Sequence, residues 1–345
     1  MRGPTAAVRN YIIKRLFFMA ITLVVITMVS YTMMRLAPGD PTRARMFGGE
    51  SQGTLREDQK ETLAARLFRE KYHLDKNPII GYGYWIKGVV TRFDWGTSIV
   101  MDPGAPVMDV IAERLPVTLR LEVLSVILVY AFAIPIGIYS AVKHHHWTER
   151  GLTVVLFLLY SLPTFWVGLL LLMFFAGDLF LNVFPVAGLS PGDSYAWGKS
   201  SWQLFTATAR YYVLPVACLT YGSLAGMSRY ARVGLLEIIR QDYIRTARAK
   251  GVSEWKVVLK HAFRNGLIPL VTLFADLLPG LIGGSIIVEY IFTIRGMGSM
   301  AVAALTMRDY PLMMALFTIG AALTLLGILI SDILYAVVDP RISYK

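Results

Sequence analysis

The hydrophobic positions of this chain gather into six long blocks, about residues 16–35, 119–142, 152–177, 211–230, 268–293 and 312–338, divided by polar stretches. Each block is long enough to cross a hydrocarbon core of about 30 Å at 1.5 Å per residue of helix. The pattern predicts an all-α polytopic membrane protein with six transmembrane helices. It divides the chain into residues 1–37 (an N-terminal segment and the first helix), a loop region at 38–118, and a five-helix core at 119–345 that contains a polar loop at 235–267.

That polar loop is the most informative stretch. Residues 240–250 carry Arg240, Asp242, Arg245, Arg248 and Lys250. At roughly 2.5–3.5 kcal/mol per charge at mid-bilayer, five of them would cost about 12 kcal/mol or more, so the segment has to lie in water at one membrane face. Leu236, Ile239, Tyr243 and Ala247 recur at helical spacing and form one apolar stripe; Trp255, Leu259 and Ala262 form a second. Gly251 breaks the pattern between them. Ser253 is placed to cap the second helix, with Glu254 at the positive end of its dipole. A basic positive-inside loop would explain the charges alone. The length and the two amphipathic faces predict more, a docking surface for a soluble partner.

The 38–118 region opens on a turn at Pro38-Gly39-Asp40-Pro41. Residues 55–74 read as a surface amphipathic helix, and Tyr82, Tyr84, Trp85, Phe93 and Trp95 as an interfacial aromatic belt. The first apolar block has Lys14 and Arg15 before it, as a signal peptide would. Its run of about 19 residues leads into Arg35-Leu-Ala-Pro-Gly-Asp40 without a small-x-small cleavage site, so a retained anchor is expected.

Composition sharpens the class. Of 345 residues 55% are hydrophobic, mean hydropathy is +0.54, and the net charge is +11. Nine Lys or Arg lie within 229–264. With Lys143 and Arg150 in the 143–150 loop and basic residues at both ends, the bias places both termini and the polar loop in the cytoplasm, and 38–118 and 178–210 outside. The excess of base thus reflects membrane orientation; nothing supports a nucleic-acid partner. A single cysteine, Cys218, rules out a disulfide framework or thiolate metal site within the chain and reads as a small core residue.

The candidate chemistry is sparse. Gly198-Lys199-Ser200 ends like a phosphate-binding loop, but Asp193 stands where the opening glycine belongs and no strand precedes it, so a nucleotide site is not expected. His144-His145-His146 are adjacent on a short loop and diverge, which disfavours a metal site and leaves titration near neutral pH. No catalytic constellation is visible. Asp276 lies about eight residues, roughly 12 Å, into the fifth block, beside Pro279, Gly280, Gly283 and Gly284. An ionisable group at such depth lines a watery passage or pairs with a neighbouring helix, with Arg229 and Arg232 as candidate partners. Glu289 and Asp332 lie nearer the outer and inner ends of their blocks, within reach of the interface.

Eight motifs stand in order: Ala37-Pro-Gly-Asp-Pro41, Trp95-Gly-Thr-Ser98, Arg114-Leu-Pro-Val-Thr118, Ser161-Leu-Pro-Thr-Phe-Trp166, Gln241-Asp-Tyr-Ile-Arg-Thr-Ala-Arg-Ala-Lys-Gly251, His261-Ala-Phe-Arg-Asn265, Arg308-Asp-Tyr-Pro311 and Val338-Asp-Pro-Arg-Ile342. Over essentially its full length the chain resembles permease subunits of the oligopeptide/dipeptide/nickel family of ABC importers, of the first-permease type. The resemblance implies a type I importer permease fold in a bacterial cytoplasmic (inner) membrane. It implies a sister permease forming a heterodimer, two ATPase subunits that bind ATP and Mg, and an extracytoplasmic substrate-binding protein. This chain itself would be no enzyme and bind no cofactor. By the resemblance, Asp242, Arg245, Thr246, Ala247, Lys250, Gly251, Val252 and Ser253 belong to the ATPase-coupling loop. Arg245 and Thr246 replace the Glu-Ala of the wider importer pattern, and the closing proline comes late, at Pro269.

Asp276, Gly280, Gly283, Gly284 and Glu289 are the candidates for the translocation pathway. Asp276 is outside the family pattern, which leaves its role open. Peptides, nickel chelates and some oligosaccharides are all cargos within the family, so membership does not choose among them. Two rival readings stand beside the importer: an ion-coupled secondary transporter using Asp276, and a membrane enzyme acting on lipid-linked substrates. The charged docking loop counts against the first, and the missing polar constellation against the second.

Overall fold

The computed structural model describes residues 4–36, 70, 75–177, 180–191, 200–266, 280–281 and 283–338. The turn at 38–41, the helix expected over 55–74 (Glu70 aside), Gly198 and Lys199, and Asp276 lie outside the described residues. Among the described residues the chain is helical, with one isolated bridge, Thr97 to Pro106, and no strand. It falls into two compact units: residues 1–116 with 300–325 and 344–345, and residues 117–299 with 326–343.

The first unit begins with α1 (Pro4–Leu36), a 33-residue helix. Against it packs α2 (Pro78–Arg92), started by Asn77, whose side chain accepts from the Ile79 N–H at 3.0 Å, with Pro78 in the first turn where a missing N–H costs nothing. The Tyr82 hydroxyl lies 2.9 Å from Thr27 Oγ1 and donates to the Val24 carbonyl at 3.1 Å, and the Tyr82 ring meets Tyr31 edge-on. Tyr82 is therefore a buried tie between helices, which corrects its place in the expected belt. Its ring fills the α1–α2 contact, and its hydroxyl finds partners there that an apolar contact would otherwise deny it. Tyr84 and Phe93 do remain exposed.

α3 (Val107–Val142) begins in the first unit and continues into the second. It is followed by α4 (Trp147–Ser161), α5 (Thr164–Phe175), α6 (Ser201–Ile239), α7 (Asp242–Ala249), α8 (Glu254–Lys256), a π-helical stretch Val257–Ala262, α9 (Phe263–Gly266) and α10 (Ile286–Ile291). α11 (Met297–Met307) and α12 (Tyr310–Val338) close the described chain.

Three described helices are long and apolar enough to cross a membrane: Tyr11–Leu36, Val107–Val142 and Tyr310–Ile333. A fourth crossing is added if α4 and α5 count as one span, but they meet at a 99° bend. The block at 152–177, read from sequence as one continuous helix, is thus broken at Leu162-Pro163. Proline removes a backbone donor and pushes the preceding residue out of the helical region, and Leu162 is indeed extended, with ψ 131°. The carbonyl freed at Leu162 is taken up from α6, which also touches the first turn of α5. The Tyr221 hydroxyl donates to the Leu162 carbonyl at 2.8 Å, and Cys218 Sγ approaches the Thr164 carbonyl at 3.6 Å.

The fourth block lies within α6, 39 residues long, which accommodates Pro215 and runs well past both ends of 211–230. Its start is a capping box: the Gln203 N–H donates to Ser200 Oγ at 3.3 Å, and the Ser200 N–H to Gln203 Oε1 at 3.1 Å. Ser200 serves helix initiation. The core of the second unit sits where α3, α5, α6 and α10 meet, around Leu121, Leu214, Cys218, Val288 and Phe292. Gly168 brings α5 close to α6 there, since a Cβ on it would touch Cys218 Sγ at 3.4 Å.

Candidate functional site

The polar loop is built onto the end of α6. Leu235, Ile244, Val257 and Ala262 are buried together with Ala141 of α3, and Leu236, Ile239, Ala247 and Val252 pack around them. The buried residue of α7 is Ile244, where the stripe read from sequence had Tyr243, which is 42% exposed. In the second half Val257, Val258 and Ala262 turn inward, and Trp255, expected in the stripe, is 69% exposed. The cause is the switch to π-helical winding at Val257, which changes the period on which a 3.6-residue stripe depends.

Of the eight residues assigned to coupling, Asp242, Arg245, Thr246, Lys250, Gly251 and Ser253 are exposed, while Ala247 and Val252 join the apolar cluster beneath. Gly251 has φ 75°, a conformation that side-chain-bearing residues rarely adopt, and a Cβ there would meet nothing within 4 Å. The turn is closed by the Gly251 N–H donating to the Arg248 carbonyl at 2.9 Å and the Val252 N–H to the Ala247 carbonyl at 3.3 Å. Ser253 occupies the cap position of α8 but makes no side-chain cap bond; its carbonyl accepts from the Val257 N–H at 3.0 Å.

A clasp that the sequence pattern does not reveal spans this turn. Arg248 Nε donates to Glu254 Oε2 at 3.0 Å and Nη2 to Glu254 Oε1 at 2.6 Å. The Arg248 hydrogen bond holds the Glu254 carboxyl below its ordinary value, against a smaller opposing effect of burial and with help from the Arg248 charge. Because the folded value is depressed, the clasp is complete above the ordinary carboxylate range and is lost as pH falls through the depressed one. Backbone amide exchange at 250–253, corrected for intrinsic rates, should therefore rise on acidification below that range. Glu254→Gln should show the faster exchange already at neutral pH. Equal exchange in the two proteins at neutral pH would remove the clasp as a determinant of the turn.

Two buried carboxylates hold loops elsewhere. In the first unit Asp309, fully buried, accepts on Oδ2 from Ser98 Oγ at 2.6 Å, the Ile99 N–H at 2.9 Å and the Val100 N–H at 3.1 Å. Two of the motifs quoted above, Trp95–Ser98 and Arg308–Pro311, are thus two sides of one contact. In the second unit Glu289, within reach of the interface by its place in the sequence, is instead buried among protein groups. Its Oε1 accepts from Thr118 Oγ1 at 2.9 Å and its Oε2 from the Ser299 N–H at 2.7 Å, while Thr118 Oγ1 in turn accepts from the Met297 N–H at 2.8 Å. The glycines around it make room: a Cβ on Gly296 would stand about 2.5 Å from Glu289 Oε1 and Thr118 Oγ1, and Gly284 has φ 68°. Among the described residues, none comes within 4 Å of where a Cβ on Gly280 or Gly283 would stand. Arg232, one candidate partner of Asp276, is paired with Glu149 at 2.6 Å.

The candidate site is therefore an exposed, glycine-turned polar loop carried on the end of the 39-residue helix α6. The chain belongs to the family of binding-protein-dependent transport system inner membrane components, whose model matches residues 133–344. It is 40% identical over 335 residues to the oligopeptide transport system permease protein AppB of Bacillus subtilis, covering 97% of this chain and 99% of that protein. The dipeptide transport system permease protein DppB of the same organism is 32% identical over 334 residues, 97% of this chain and 98% of its own length. The glutathione transport system permease protein GsiC of Escherichia coli K12 is 34% identical over 336 residues, 97% and 99% of the two chains. In fold, the chain is similar to an inward-facing MetNI methionine ABC transporter structure, with a TM-score of 0.50 and 18% identity over 67% of this chain and 97% of that one.

Proposed function

We propose that this chain is one of the permease subunits of an ATP-driven importer for peptides or similar small solutes. It forms half of the pathway across the inner membrane with a sister permease, and cargo arrives from an extracytoplasmic binding protein. Energy enters through Asp242, Arg245, Thr246, Lys250, Gly251 and Ser253, against which an ATPase subunit docks; that subunit, with its twin, binds ATP and Mg. Ala247 and Val252 serve the same loop from beneath, by seating it on α6. This chain has no nucleotide site or cofactor of its own in this reading, and both its termini lie in the cytoplasm. Asp276, Gly280, Gly283 and Gly284 line the passage, and Glu289 anchors its wall. The observation that carries the proposal is full-length likeness to a permease named for oligopeptides, joined to an exposed loop rooted in the membrane core.

Reconstitution tests it. Proteoliposomes holding both permeases should accumulate a labelled oligopeptide only when the ATPase subunits, ATP and the binding protein are all supplied. Uptake driven by a proton or sodium gradient without ATP would refute the reading. Orientation is tested separately with single cysteines in a Cys218→Ser background. An impermeant reagent added to intact cells should label positions in 178–210 and leave position 250 untouched.

A further inference from the structure

The turn between α3 and α4 is fastened to α6 by one guanidinium. Arg232 Nη2 lies 2.6 Å from Glu149 Oε1, and the Glu149 side chain is only 3% exposed. The same carboxylate oxygen accepts from Thr153 Oγ1 at 2.8 Å, so it is held from its own helix as well. Arg232 Nη2 also lies 3.3 Å from His144 Nδ1 in the turn. The turn is itself ordered: His145 has φ 70°, its ring lies tilted against His144 with centroids 3.8 Å apart, and His146 caps α4 at Thr148. Just above, α3 and α6 are in backbone-close contact, for a Cβ on Gly137 would come within 3.1 Å of the Arg232 nitrogen and the Ser228 carbonyl.

Arg232 stands three residues before Leu235, which is buried against Ile244 of α7. The same short end of α6 therefore carries the polar loop on one side and the α3–α4 turn on the other. We propose that Arg232 is a positioning residue of the transport cycle: through Glu149 and His144 it obliges the α3–α4 turn to move with the end of α6 when the polar loop is displaced. The inference rests on the reading of that loop as the ATPase-docking segment.

The buried Glu149 makes the link stiff, because drawing Arg232 away would leave that carboxylate buried without its counter-charge. The histidine makes the link sensitive to acid. Neutral His144 accepts from Arg232 on Nδ1, whereas the imidazolium has no acceptor to offer. Partial burial, together with His145, Arg232 and Arg240, lowers the His144 pKa from its ordinary value; Glu149 on α4 opposes this. The lowered value means that the link is whole at neutral pH and loosens as the cytoplasmic side is acidified through it.

The test uses the assembled complex of both permeases and ATPase subunits, with spin labels at Trp147→Cys and Glu237→Cys in the Cys218→Ser background. The distance between labels should be the same in the ATP-free and vanadate-trapped complexes, because both sites ride on the link. In Arg232→Met/Glu149→Met, which removes both charges and strands neither, the distance should change by several ångström between states, and binding-protein stimulation of ATP hydrolysis should fall several-fold. An invariant distance and full stimulation in that variant would overturn the proposal.

If the double variant does not assemble, His144→Asn decides, since the amide keeps an acceptor that does not titrate. Stimulation should fall on acidification in the wild-type protein and stay level in His144→Asn, and identical pH profiles would overturn the proposal. Failure of the docking reading would look different: Gly251→Arg permeases would bind the ATPase subunits and take up cargo as the wild type does.

Discussion

Gly251→Arg is expected to insert, fold and reach the membrane, yet to abolish ATP-driven uptake. No apolar block is altered, and the glycine lies on the exposed surface with open space where a Cβ would go. Two effects add. A side chain at φ 75° strains the turn, at about 1 kcal/mol for a residue forced into the left-handed region. The guanidinium then adds bulk and charge to a surface already carrying Arg245 and Lys250 close by. Gly251→Ala isolates the first effect, and it should weaken uptake modestly without stopping it. Co-purification with the ATPase subunits and uptake into proteoliposomes are the measurements. Wild-type uptake by the arginine variant would move the docking site elsewhere.

Asp309→Ala should produce the largest loss of stability. It leaves the buried Ser98 hydroxyl and Ile99 N–H, and the half-buried Val100 N–H, without their acceptor. At about 1–3 kcal/mol for each stranded group, partial compensation by rearrangement still leaves a loss of several kcal/mol. The thermal midpoint of the purified protein in detergent should fall clearly. Asp309→Asn, which retains one acceptor oxygen of similar shape, should fall less. An unchanged midpoint in Asp309→Ala would mean that the 98–101 loop is held by something other than this carboxylate.

What is legible in the sequence is what repeats locally or is excluded by solvent. The charged 235–267 loop announces itself because charges at that density cannot sit in lipid, and Gly251 because it interrupts two helical periods. On α7 the expected stripe keeps Ala247 but exchanges Tyr243 for Ile244: Tyr243 fits an apolar period as well as Ile244 does, but its hydroxyl reaches out to the His261 carbonyl at 3.5 Å instead of entering the cluster. The inward face beyond Glu254 differs from the expected one because winding changes there, and no composition rule marks a π-helical turn. Contacts between distant segments leave no local trace. Ser98 and Asp309 are 211 positions apart, and Thr118 and Glu289 are 171 apart. Two motifs that stand in the sequence only as landmarks are partners in the fold. Glu149 gives no signal because a carboxylate at a helix start normally reads as a solvated end.

The bend at Leu162-Pro163 carries an obligation of its own. A helix crossing lipid normally insulates its own backbone, each carbonyl being shielded by the next turn. Here the insulation is borrowed: Tyr221 of a different helix covers the carbonyl of Leu162, which neither α4 nor α5 satisfies. The two helices are therefore not free to part during transport without baring a peptide group to hydrocarbon. Whatever rearrangement opens the route for cargo must carry the bend and the middle of α6 as a single body, and any sliding has to occur along other seams.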